Sequence, residues 1–243
     1  MSARTEFLAR IRGQLAKTPA LFTAAPSLRP ARPREVADTI RRELAERWRE
    51  SLDRFQREFE RVGGVLHRVA DVQDVPVVVG RLARERGASS VVAWHPSALG
   101  FDPTPGLAAE QLTVHGMPDA LPDAEHRRAL RETIATTPLG LTGVDLALAE
   151  TGTMILRSGP GRPRSTSLLP ATHIAVFDRR VLVESLAQVG VLLEAWHTEE
   201  APGAVINFIT GPSRTADIEL TLTRGVHGPK EVHAIFVERP IGE

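Results

Sequence analysis

Between residues 65 and 137 the chain alternates between two periodicities, and this constrains the fold more than any other feature. β-branched and apolar runs too short for helices occur at 65–69, 90–94, 112–115 and 133–137, with helical patterns at 76–86 and 124–132 between them. Strands separated by whole helices are the signature of parallel pairing, because a parallel neighbour must be reached by a crossover. The expectation is an α/β fold with a parallel-rich mixed sheet and helices on both faces. Beyond Asp145 the rhythm tightens, with strands expected at 152–156, 173–177, 205–209 and 233–237 and one helix at 186–196. No repeat at a solenoid period is present.

The segment before this region has a different character. Phe7, Leu8, Ile11 and Leu15 recur at helical spacing, which predicts a short amphipathic helix ending before Pro19. Pro19, Pro26, Pro30 and Pro33 then punctuate a linker. Residues 1–33 are therefore expected to form a helical docking arm and linker, and residues 34–243 the α/β domain. A long helix over 35–61 presents the stripe Val36, Ile40, Leu44, Trp48, Leu52, Phe55 and Phe59 and stops at Gly63 and Gly64. Its many charges alternate in sign, as in a solvated helix face.

Charge and cysteine usage exclude several functions. Thirty basic residues balance thirty acidic ones, so no global positive field gathers nucleic acid or anionic lipid. With no cysteine the chain alone holds no disulfide, thiolate nucleophile, cysteine-ligated zinc or iron–sulfur cluster. Its apolar runs fall far short of the roughly 20 residues that span a bilayer, and the N-terminus lacks a secretory apolar core, so a cytoplasmic location is expected. No H-E-x-x-H or comparable ligand spacing occurs, and no metal or tightly bound cofactor is expected.

Four polar, glycine-rich segments carry the chemistry. In T-G-V-D-L-A-L-A-E-T-G-T (142–153), Gly143 and Gly152 permit close backbone approach and Thr142, Thr151 and Thr153 offer hydroxyls. Asp145 suits a helix cap, and Glu150 suits a base or nucleophile. In R-S-G-P-G-R-P-R-S-T-S (157–167), Arg157, Arg162 and Arg164 face no local acid and suit a carboxylate or phosphate, and Gly159 and Gly161 supply the hinge freedom of a lid. In T-G-P-S-R-T-A-D-I-E (210–219), Gly211 precedes an expected helix start. Ser213 and Thr215 are contact candidates, with Arg214 as anion clamp and Asp217 as base. In G-V-H-G-P-K-E (225–231), His227 beside Gly228 suits a polar role. The bland alternative for each segment is a capped turn or an exposed loop. Glu150, Asp217 and His227 are thus the catalytic candidates. Because each segment adjoins an apolar strand, 142–153, 213–217 and 225–230 are expected to converge at the carboxyl edge of the sheet.

In this order and spacing, with R-x-x-F-L-x-x-I-R-x-x-L at 4–15, the segments resemble the lactate utilization protein C family, whose members consist of the LUD domain. The resemblance covers roughly 35–237 and is densest at 142–153, 167–170, 211–219 and 225–229. It implies a fold similar to the ribose-5-phosphate isomerase and coenzyme A transferase group. It also implies a role in oxidising L-lactate to pyruvate beside two partner proteins that carry iron–sulfur motifs, this chain being a cluster-free subunit that binds a small carboxylate or phosphorylated ligand. Two other readings follow the same residues: an acyl or coenzyme A transferase with Glu150 as nucleophile, and a non-catalytic small-molecule-binding regulatory subunit, either of which could be homo-oligomeric.

Overall fold

The computed structural model describes residues 3–15, 30–120, 123–197, 205–216 and 222–242. Its centre is a six-stranded sheet in which every pairing is parallel. The strands are β1 (Val65–Val69), β2 (Ser90–Ala93), β3 (Thr113–Gly116), β4 (Leu139–Gly143), β7 (Thr172–Asp178) and β12 (Glu231–Val237), in the spatial order β1-β12-β7-β4-β2-β3. β7 and all of β12 after Glu231 are buried, as central strands covered on both faces must be. A smaller sheet, ordered β8-β5-β6-β9, combines β5 (Leu146–Leu148), β6 (Thr153–Arg157), β8 (Leu182–Val183) and β9 (Ile206–Ile209), and β10 (Arg214–Ala216) pairs with β11 (Leu222–Arg224).

Strand alternation divides the core between the two faces of the large sheet. On one face Ile174, Val176, Ile235 and Val237 pack with Val75, Val79 and Leu82 of α3 (Val75–Glu85) and Leu107 of α5 (Thr104–Ala109). On the other, Ala175, Phe177, Ala234 and Phe236 meet Leu52, Phe55 and Phe59 of α2 (Pro33–Arg61) and the small sheet. Phe55 stacks on Phe59 at 5.3 Å and meets Phe177 edge-on at 5.4 Å, while Trp48 stacks on Phe236 at 5.6 Å. A third cluster joins Ala37 and Leu44 of α2 to Val189, Leu192 and Trp196 of α8 (Leu186–His197).

Several elements differ from the sequence reading. Val36 is exposed and Ala37 buried, because non-helical dihedrals at Arg47 (φ −107°, ψ 18°) kink α2 and rotate its first half relative to its second. The expected strand at 133–137 is instead the end of α6 (Ala124–Thr136). Thr133 and Thr136 donate their hydroxyls to the carbonyls of Ala129 and Glu132 one turn back, which lets β-branched residues finish a helix. The helix expected after Gly211 is the strand β10, paired through Thr215 with Thr223, and Asp217 lies outside the described residues. The arm helix α1 (Ala3–Leu15) forms where expected, with Phe7, Leu8 and Ile11 exposed.

Candidate functional site

In an open parallel sheet, ligands collect beyond the carboxyl ends of the strands, where successive connections leave in opposite directions. Here the chain leaves β2 toward β3 and β4 toward β7, so this switch point falls between the neighbours β2 and β4. A crevice of about 250 Å³ opens beside it, lined by Leu99, Gly143, Val144, Asp178, Arg180 and Ile241. The first turn beyond β2 forms one wall. His95 Nδ1 accepts from the backbone N–H of Ser97 at 3.2 Å, which places the proton of the neutral ring on Nε2. Ser97 Oγ lies 2.8 Å from the same nitrogen and donates to Asp119 Oδ1 at 3.3 Å. The first turn beyond β7 forms another. The buried Asp178 accepts from the N–H groups of Arg180 and Ile241, both at 2.8 Å, and pairs with the Arg180 guanidinium at 2.6 Å.

The turn beyond β4 contributes Gly143 and Val144 to the crevice and leads into a charged cluster. Asp145 accepts from the backbone of Arg157 at 2.6 Å, from Arg157 Nε at 3.1 Å and from Arg162 Nη1 at 3.1 Å. No helix follows Asp145; it is an ion-pair hub, and the arginines that lack an acid nearby in sequence find one across the β5–β6 hairpin. The Arg157 guanidinium also lies 4.2 Å from the ring centre of Trp196. Arg164 is exposed immediately before α7 (Ser165–Leu168). In the crevice lining Asp178 and Arg180 form the charged pair, while Asp145 with Arg157 and Arg162 forms a second ion-paired cluster on the connection that leaves β4, guanidinium groups of the kind that suit a small anion.

The remaining candidates lie elsewhere. Gly225, His227, Gly228 and Lys230 precede β12 and therefore sit at the amino edge, where Lys230 donates to Ala171 just before β7. Ser213 joins them by donating to Pro229 O at 2.9 Å, with Gly228 packed on its Cβ. Gly211 (φ +78°) sits on the carbonyl of Val62, and Arg214 lies over Gly63, both at the end of α2. Gly152 (φ +62°) packs on the backbone of Phe59 in the same helix end, and Thr151, Thr153 and Thr210 form a chain of hydroxyls at 2.6 and 2.7 Å. Glu150 accepts from the N–H of Leu186 at 2.8 Å, capping the first turn of α8. The expected convergence of three segments at the carboxyl edge is thus corrected. Gly143 and Asp145 reach that edge, whereas 210–215 and 225–230 meet at the amino edge. His95, Ser97, Asp119, Asp178 and Arg180 are absent from the sequence reading, although each lies at the end of a parallel strand or within four residues beyond it.

Thr142 is fully buried, its hydroxyl 2.8 Å from Nε2 of the equally buried His173, whose Nδ1 has no hydrogen-bond partner among the described residues. Burial, reinforced by the charge of His233, lowers the His173 pKa to about 3. On the opposite face His67 Nε2 meets His233 Nδ1 at 3.1 Å, and burial with the neighbouring charges of His233 and Arg81 lowers His67 to about 4. Both are neutral structural imidazoles at physiological pH.

Comparison with known proteins decides the family. The model of the LUD domain matches residues 52–237. The chain belongs to the LUD domain family. Curated relatives named "Lactate utilization protein C" include those of Halalkalibacterium halodurans (38% identical over 163 residues, 66% of this chain and 67% of that protein) and Oceanobacillus iheyensis (32% over 171 residues, 68% and 71%). That of Shouchella clausii is 35% identical over 158 residues, 63% of this chain and 64% of that protein. A crystal structure of a DUF162 family protein from Deinococcus radiodurans aligns with 20% identity and a TM-score of 0.49, covering 78% of this chain and 98% of that one. The LUD domain match contains Gly143, Asp145, Arg162, Asp178 and Arg180 and excludes α1.

Proposed function

We propose that this LUD protein serves lactate utilization as the cluster-free subunit of an assembly that oxidises L-lactate to pyruvate. Its family, with relatives that bear the name lactate utilization protein C, is the observation that carries the reading. Oxidation of a 2-hydroxy acid removes two electrons, and a chain without cysteine cannot itself ligate an iron–sulfur relay through thiolates. Two partner subunits with iron–sulfur motifs supply that relay. The role of this chain is to hold a small carboxylate or phosphorylated ligand at the carboxyl edge, where Asp178 fixes Arg180 in the crevice and Asp145 fixes Arg157 and Arg162 on the connection that leaves β4.

Deleting the gene from its host tests the reading. Growth on L-lactate should fail while growth on pyruvate persists, and a plasmid copy should restore it. A copy bearing Arg162→Ala and Arg180→Ala should restore it poorly at normal protein abundance. Undiminished growth on L-lactate after deletion would overturn the proposal.

A further inference from the structure

A second cleft, apart from the crevice, lies between α6 and the glycine–proline loop at 159–163 and encloses about 250 Å³. Its floor is apolar: Met117 and Ile134 are buried and Leu130 packs against them. Pro160 and Pro163 form the facing wall, and prolines present carbon surface and no N–H donor. The polar part is confined to one side. Arg127 and Arg131 stand one turn apart on α6, where i and i+4 side chains share a face. Arg131 Nε donates to the carbonyl of Arg127 at 3.3 Å, and neither guanidinium has a carboxylate partner among the described residues. Among the described residues no acidic side chain lines the cleft, and Ser165 completes the lining.

Size and chemistry together narrow the occupant. An apolar cavity of about 150 Å³ is enough for benzene, so this volume accommodates one substituted ring or a fused bicycle. A three-carbon hydroxy acid would leave most of the floor wet and gain little from it. Proline faces, a methionine thioether and guanidinium planes all pack well against aromatic rings, and two arginines at the mouth without a carboxylate partner among the described residues favour an anion. We propose that the cleft binds a small aromatic carboxylate, its ring against Met117, Leu130 and Ile134 and its carboxylate held by Arg127 and Arg131. The inference rests on geometry independent of the crevice and stands or falls separately from the role in lactate utilization.

The test titrates the full chain with indole-3-acetate, following backbone amide resonances and, in parallel, heat. Indole-3-acetamide and L-lactate serve as comparators. Saturable binding of the acid is expected, with shifts centred on Met117, Leu130 and Ile134. The uncharged amide should bind at least roughly tenfold more weakly, the scale of a charge-assisted contact. Arg127→Ala combined with Arg131→Ala should weaken the acid by a similar factor; both sites are exposed and alanine favours helix, so the fold should persist by circular dichroism. L-Lactate should not displace the acid. The proposal is overturned if the acid does not saturate at millimolar concentration, if acid and amide bind alike, if the double substitution leaves affinity unchanged, or if the shifts centre on Gly143 and Asp178 instead.

Discussion

His173 makes the acid stability of the fold calculable. The ring is fully buried, its Nε2 engages Thr142, and burial holds its pKa near 3 against an ordinary value of 6.5. The folded chain therefore resists a proton that the unfolded chain accepts readily. Since the folded pKa is the lower one, the contribution is fully present above about pH 6.5, shrinks as pH falls below that value, and is gone by about pH 3. At pH 5 the unfolded histidine lies about 1.5 units below its pKa and the folded one remains neutral, so the stability lost relative to neutral pH is ~2 kcal/mol. His173→Gln keeps a hydrogen-bonding partner for Thr142 and removes the titration. Urea unfolding at pH 7 and pH 5 is the assay, and the quantity compared is the change between pH values, which cancels the fixed cost of the substitution. The native chain should lose ~2 kcal/mol more than the variant over this interval. His67 and His233, flanked by Arg81, Arg86, Glu85 and Glu231, titrate in both proteins and drop out of the difference. Equal losses in both chains would show that the buried ring does not control the acid limb.

Two further substitutions probe the charged cluster beyond β4 and the packing of the end of α2. Asp145→Asn removes the counter-charge of Arg157 and Arg162 at a largely buried position, and should destabilise the chain by about 2–4 kcal/mol in urea melts; a change below about 0.5 kcal/mol would mean the pairs are dispensable. Gly152→Ala places a Cβ against the backbone of Phe59 at φ +62°, and a loss of about 2 kcal/mol should lower the melting temperature by roughly 4–8 °C; an unchanged midpoint would refute the close approach.

The strands β1, β2 and β3 were legible from short β-branched runs bounded by helices and turns, whereas the buried central strand β4 (Leu139–Gly143) was missed, the expected strand at 133–137 lying in the helix before it. The reading at 65–69 coincides with β1, and those at 90–94 and 112–115 fall within one residue of β2 and β3. Local composition fails where a tertiary partner or a side-chain bond decides the conformation. Thr133 and Thr136 favour strand by type but finish α6 by bonding back along it. Gly211 and Ser213 resemble the start of a helix, yet the segment pairs with β11. Arg157 and Arg162 look unpartnered because Asp145 reaches them only after the β5–β6 hairpin folds back.

The candidate site was harder to read for a topological reason. A turn lies at the carboxyl edge only if it leaves a strand of the parallel sheet, and adjacency to an apolar strand does not establish that. Segment 210–215 leaves β9, which belongs to the small sheet and runs antiparallel to β6. Segment 225–230 enters β12, so it occupies the amino edge however polar its sequence. The turns that do leave parallel strands begin at Trp94, Val144 and Arg179, and these bring His95, Asp145 and the Asp178–Arg180 pair to the switch point. At the last two positions an aspartate at or just beyond the strand end is satisfied by backbone N–H groups while it also grips arginine. That double role makes the ion pairs rigid: the guanidiniums of Arg157, Arg162 and Arg180 are anchored through carboxylates that backbone N–H groups already fix, so little of their side-chain entropy would remain to be lost to the ligand proposed above.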